Sequence, residues 1–258
     1  MLFILLWNGI LRIFFTSVRL RLKYRILMLL AMWIPGLNLG VLLYAMRIVH
    51  GEYDFACYKE SVRQVRAQSQ ICSTRYPLLL VHGVGFRDLR YFNYWGRIPR
   101  ELARYGADIY YGNQEAFATV AYNAGDIYRK IQEICRETGC EKVNIIAHSK
   151  GGLDSRYAIS RLGAAPMVAS LTTINTPHRG CRFVDYACRL PDGLYRAIAG
   201  VFDLWFGRFG DSHPDFYTAT HQFSTRASIC FNEEVADAPG VYYQSYASVM
   251  RDFLSDPL

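Results

Sequence analysis

Residues 142–152 read K-V-N-I-I-A-H-S-K-G-G, and this stretch decides the fold. Val143, Ile145 and Ile146 have strand character, and the run breaks at Ala147-His148-Ser149-Lys150-Gly151. A helix-compatible stretch, 153–162, follows at once. Strand, sharp turn around a central serine, then helix is the context of a nucleophile elbow. Small residues on either side of the serine let the turn tighten until its backbone is strained and its Oγ stands clear. Ala147 fills the first small position, where Gly is usual. Gly151 and Gly152 let the helix that follows pack close to the strand.

Working outward, 76–83 (Y-P-L-L-L-V-H-G) is a short, fully apolar strand, the pattern of a strand buried on both faces of a parallel sheet. A helix is expected over 95–105, a strand over 107–111 and a longer amphipathic helix over 118–137, ending near Gly139. Residues 168–175 (V-A-S-L-T-T-I-N) form the next strand, and 241–248 (V-Y-Y-Q-S-Y-A-S) the last. Strands alternating with helices predict an α/β fold with a doubly wound, mostly parallel sheet and helices on both faces. Between the last two strands lies a helix-rich excursion, about 181–225. Within it Leu194, Ile198, Val201, Trp205 and Phe209 recur at three- and four-residue spacing, beside Phe202 and Phe206. Such a stripe suits either a lid opening onto a lipid surface or a cap packed on the sheet.

The chain of 258 residues has room for one mid-sized domain and an appendage. Its apolar fraction, 52%, is high, and the excess lies at the N-terminus. Ile26 to Met46 is 21 residues without a charge, about 31 Å as a helix, enough to cross a hydrocarbon core. Leu2 to Val18, interrupted by Arg12, reads as a second span, an interfacial helix or part of the same anchor. Pro35-Gly36 marks a kink in the span or a re-entrant hairpin. The basic segment 19–25 (R-L-R-L-K-Y-R) is expected to stay cytoplasmic, which sends the chain after Met46 to the outer side. The expected organisation is an anchor of one or two apolar helices over 1–50, a linker over 51–75 and the α/β domain over 76–258.

Of the net charge of +7, six positive charges lie in residues 1–50, which carry no Asp or Glu. The other 208 residues share +1. The cations therefore suit anionic headgroups at the anchor's flank, and a nucleic-acid surface is not indicated. Seven cysteines show no CxxC pair and no zinc spacing; the odd count leaves at least one outside any intramolecular disulfide.

Acyl transfer by a serine needs two donors aimed at the developing oxyanion. One is the N–H after the nucleophile, here Lys150. The loop 81–86 (V-H-G-V-G-F) follows a buried strand and has glycines that allow an N–H to turn inward, which points to Val84 as the second donor.

The runs H-G-V-G-F-R-D, Y-F-N-Y-W-G-R-I-P, I-I-A-H-S-K-G-G and I-N-T-P-H-R-G, in that order, resemble the bacterial secreted-lipase group of α/β-hydrolases, the triacylglycerol lipases. The likeness runs from about Tyr76 to the C-terminus and excludes the N-terminal segment. It implies Ser149 as nucleophile, and the Val84 and Lys150 amides as oxyanion hole. It makes His82 and His148 flanking residues and gives His178 a structural turn. It implies an ester or lipid substrate and no organic cofactor. Some lipases of this type bind calcium, but no ligand set here justifies naming a metal site.

The resemblance places the triad acid after the strand 241–248 and the base beyond one further strand. Asp252 and Asp256 follow that strand, but the last histidine of the sequence is His221. No triad Asp or His is therefore identified, and the preferred reading is a truncated chain. A triad built from His213 or His221 with Asp203, Asp211 or Asp215 is the in-chain alternative. An acyltransferase or thioesterase would share every motif above. A non-catalytic membrane scaffold with a hydrolase-like body is the reading from a different class.

Overall fold

The computed structural model describes residues 2–31, 34, 36–66, 69–85 and 94–249. Two compact units divide the chain: 1–69 with 249–258, and 70–248. Pro35, Phe86 to Asn93, Asp252 and Asp256, all singled out in the sequence, lie outside the described residues.

In the smaller unit α1 spans Leu2–Thr16, α2 Leu22–Ala31 and α3 Leu37–Arg66. Among the described residues no single helix covers Ile26–Met46; the run is shared between α2 and α3. Met28 and Ala31 of α2 pack with Val41 and Ala45 of α3, and both alanines are 1% exposed. Their small side chains allow close approach, and the short connection between two packed helices makes them an antiparallel pair. Gly36 takes φ +86°, in the left-handed region. Charges from Arg47 onward make the rest of α3 polar. No helix among the described residues is long and apolar enough to cross a membrane. The expected outer placement of the α/β domain rested on such a crossing. The supposed linker is helical as far as Arg66, continuous with α3.

The larger unit follows the expected alternation. In order come β1 (Leu78–Val81), α4 (Ile98–Arg104), β2 (Ile109–Tyr111), α5 (Val120–Thr138), β3 (Val143–His148), α6 (Lys150–Arg161) and β4 (Val168–Ile174). Then α7 (Arg182–Ala187), α8 (Asp192–Arg208), α9 (Phe216–His221) and α10 (Thr225–Glu234) precede β5 (Tyr242–Tyr246). The described strands form one parallel sheet in the order β2-β1-β3-β4-β5. Its register sets Leu79, Ile145, Leu171 and Tyr243 in one row across the sheet. Against that face pack Ile127, Ile131 and Ile134 of α5 and Ala158 and Ile159 of α6. Leu78 and Leu80, pointing the other way, are buried too, as the apolar β1 run requires.

The long α5 is delimited by its caps. Thr119 Oγ1 accepts the Tyr122 N–H at the start, and Gly139 at φ +70° ends it, as its position in the sequence predicts. Cys135 and Cys140 place their sulfurs 4.0 Å apart as free thiols.

Candidate active site

Ser149 stands between β3 and α6 with φ +51° and ψ −125°. A non-glycine residue pays for this conformation in strain. Its N–H donates to the Ile174 carbonyl at 2.9 Å, tying the turn to the end of β4. The side chain is half-buried, and no described residue hydrogen-bonds its hydroxyl.

The flanking glycines are sterically required. A Cβ on Gly151 would lie 2.4 Å from the His82 carbonyl oxygen, and one on Gly152 2.1 Å from Thr176 Oγ1. From the facing loop, a Cβ on Gly83 would lie 2.9 Å from Ser149 Cβ and 2.7 Å from the Tyr94 hydroxyl. The loop after β1 thus runs directly against the serine.

Two amides at this junction have no described acceptor. Lys150 is the first residue of α6, so its N–H has no intrahelical partner. In the loop, Gly85 at φ +84° spends its N–H on the Ala116 carbonyl (3.1 Å). The Val84 side chain packs near Val120, Leu153 and Phe223, and its N–H remains unspent among the described residues.

The histidines separate into distinct environments. His82 is fully buried, with Nδ1 2.8 Å from the Gly83 carbonyl oxygen and Nε2 2.9 Å from that of Gln114. Gln114 Nε2 in turn donates to the His82 carbonyl at 2.8 Å. His148 Nδ1 is hydrogen-bonded to the Tyr94 hydroxyl, and Trp95 meets its ring edge-on. Burial holds His148 below the usual imidazole range. His178 sits in the turn after β4, 3.0 Å from Thr173 Oγ1 and 3.3 Å from Arg156 Nη1.

His213 and His221 are engaged elsewhere. His213 lies over Tyr122 and near Glu115, while His221 Nδ1 bonds the Tyr217 carbonyl (2.7 Å) and its ring stacks on Tyr217. The three acids suggested as their partners are spent on backbone N–H groups. Asp203 accepts from Phe216, Asp211 from Ala116 and Phe117, and Asp215 caps α9 at Thr218. No in-chain triad from these residues forms among the described residues.

One pair was not anticipated. The side chain of Lys150 is buried against Asp154, one turn along α6, and Asn123 Nδ2 also reaches that carboxylate (3.3 Å). Burial pushes the Asp154 carboxyl up to about 6, with Lys150 opposing, and pulls the Lys150 ammonium down, with Asp154 opposing. The i, i+4 spacing of K-G-G-L-D carried the signal.

Above the sheet, α8 turns its apolar stripe outward. Val201, Trp205 and Phe209 are 68%, 56% and 63% exposed. Phe202 and Phe206 face inward, onto Phe117 and Phe216. At the end of α8 two carboxylates form a reciprocal clasp: Asp211 accepts the 116 and 117 amides, and Glu115 accepts those of Ser212 and His213. A cavity of roughly 440 Å³ beside β4 and β5, lined by Arg156, His178 and Tyr243 among others, does not include Ser149. Among the described residues no cluster of His, Cys, Asp or Glu could hold a metal ion.

A parallel sheet in this order, with a strained serine between strand and helix, is the framework of an α/β-hydrolase. No protein-family model matches the chain. In sequence it is 33% identical over 185 residues to a triacylglycerol lipase of Burkholderia plantarii, covering 67% of this chain and 51% of that protein. It is 34% identical over 179 residues to a triacylglycerol lipase of Pseudarthrobacter phenanthrenivorans, covering 64% of this chain and 56% of that one. The chain spans about half the length of the curated relatives it matches. Among solved structures, a Bacillus licheniformis lipase in its mature form shares the fold with a TM-score of 0.52 and 22% identity, over 66% of this chain and 64% of that one.

Proposed function

We propose that this chain carries the nucleophile and oxyanion hole of a carboxylic ester hydrolase acting on acylglycerol lipids at a membrane surface. The observation that carries the reading is the strained Ser149 turn, closed against the loop after β1 by Gly83. Ser149 Oγ attacks the ester carbonyl carbon, and the carbonyl oxygen becomes an oxyanion held by the Val84 and Lys150 amides. Collapse expels the alcohol and leaves an acyl-enzyme. Water then attacks that ester, releasing the fatty acid and restoring the serine. The general acid–base partners are not assigned to any described residue. Neither a metal nor an organic cofactor is needed for these steps.

The lipid preference rests on the relatives named triacylglycerol lipase and on the outward apolar stripe of α8, which suits a lid meeting a lipid surface. Membrane association rests on the smaller unit, whose α2 and α3 expose Leu29, Leu30, Leu39 and Leu43. On this reading the apolar helices enter one leaflet and do not span. The test offers the full-length protein a triacylglycerol emulsion, a long-chain acyl thioester and an alcohol acceptor. Preferential release of fatty acid from the emulsion, abolished in Ser149→Ala, is expected. Preferential transfer to the alcohol or cleavage of the thioester would replace hydrolysis of lipid esters with the corresponding activity.

A further inference from the structure

Within the smaller unit a cavity of roughly 460 Å³ is lined by Arg19 and Arg21 from the α1–α2 connection, Tyr24 of α2, and Tyr44 and Arg47 of α3. Three exposed arginines thus line one cavity although like charges repel. Among the described residues none is ion-paired with an acid. The nearby Glu52 accepts the Ser17 hydroxyl and the Arg19 N–H through Oε1, and Arg25 turns to the Ser17 and Leu20 carbonyls. Arg19 also lies over the Phe55 ring. The remaining donors are planar forks suited to phosphate oxygens.

The surroundings select the kind of phosphate. Immediately beyond Tyr24 and Tyr44, toward the connection between them, α2 and α3 run through residues 26–31 and 37–43 without a charge, and both expose leucines. Six or seven helical residues reach about 9–10 Å, within the half-thickness of a hydrocarbon core of about 30 Å. An antiparallel hairpin of that depth fits one leaflet. Aromatic hydroxyls and arginines at its base then lie at headgroup height.

We propose that Arg19, Arg21 and Arg47, with Tyr24 and Tyr44, bind the phosphate of an anionic phospholipid headgroup while the uncharged stretches of α2 and α3 sit in the same leaflet. This rests on the membrane association proposed above and adds a specific ligand to it.

Flotation of the full-length protein with vesicles of phosphatidylcholine, alone or mixed with phosphatidylglycerol, separates the two ideas. Wild type should prefer the mixed vesicles, and Arg21→Gln/Arg47→Gln should lose roughly thirty-fold of that binding, at about five-fold per cation. Its binding to phosphatidylcholine alone should be unchanged. Arg63→Gln/Arg66→Gln, which removes two charges from the far end of α3, should change the preference by no more than a few-fold. Arg21→Lys/Arg47→Lys should fall between wild type and the glutamine variant, and thermal melts check that each variant folds. Equal binding by wild type and Arg21→Gln/Arg47→Gln would overturn the site, as would an equal loss in the Arg63/Arg66 variant. If free glycerol phosphate displaces the protein as readily as anionic vesicles recruit it, a soluble phosphate is the ligand and the lipid assignment fails. Failure of wild type to float with any vesicle would remove membrane association itself.

Discussion

The Lys150 ammonium lies 2.7 and 2.9 Å from the two carboxylate oxygens of Asp154, with both side chains 1% exposed. The pair occupies the first turn of α6, directly behind Ser149. Removing one partner strands a charge in the interior, whereas replacing both with apolar groups does not. Asp154→Ala should therefore cost about 3–5 kcal/mol, and Lys150→Met/Asp154→Leu much less. Denaturant unfolding of the three proteins checks this. Equal losses in the single and double variants would mean that packing, and not the stranded charge, sets the cost.

His178 predicts a pH dependence of stability. Burial, and then the Arg156 guanidinium, hold its pKa below the ordinary 6.5. Between the folded and unfolded values the unfolded chain binds more protons. The stabilising contribution is thus complete above 6.5 and lost as pH falls through the folded value. His148 is shifted the same way, so each contributes a share. The melting temperature of wild type should drop more steeply than that of His178→Gln on acidification from about pH 7.5 to about pH 5. Parallel curves would contradict this role for His178.

The glycines of the elbow differ in what opposes a side chain. Ala at 151 meets the backbone oxygen of His82, while Ala at 152 meets the side chain of Thr176. Gly151→Ala should destabilise by about 1–3 kcal/mol or more, with no compensating change available in a neighbouring side chain. Gly152→Ala should be partly rescued by Thr176→Ala, which removes two of the three closest atoms. Thermal melts of the single and double variants test the difference.

The outward stripe of α8 predicts a split between substrates. Val201→Ser/Trp205→Ser should lower the rate on emulsified long-chain esters about tenfold or more and leave a soluble short-chain ester nearly unaffected, since neither side chain packs into the interior. Parallel losses on both substrates would place these residues in the fold's support instead of at the lipid contact.

Much of this fold can be read in the sequence because a parallel sheet buried on both faces writes itself as apolar runs. Leu78–Val81 is legible for that reason, and Val143–His148, fully buried only at alternate residues, by its Val and Ile content, with boundaries shifted by a residue or two. The Ser149 turn was legible because strain at a non-glycine residue demands small neighbours. The sequence leaves open whether Ile26–Met46 is one span or the hairpin that Pro35-Gly36 also allows, because absence of charge is common to a single span and to two helices packed on each other. Only the contact of Ala31 with the α3 layer distinguishes them. The facing of α8 was equally hidden, since its apolar residues cover more than one side and the sequence does not say which side meets Phe117. Long-range clasps such as Asp211 with the 116 and 117 amides leave no local pattern at all.

The central claim is that the Ser149 hydroxyl is the nucleophile, and an activated alkyl phosphonate tests it most directly. The full-length protein is incubated with the phosphonate, digested, and the adduct located by peptide mass. The account predicts one phosphonylated residue, Ser149, and no labelling of Ser149→Ala. Equal labelling of wild type and Ser149→Ala, or an adduct on another residue, would contradict it.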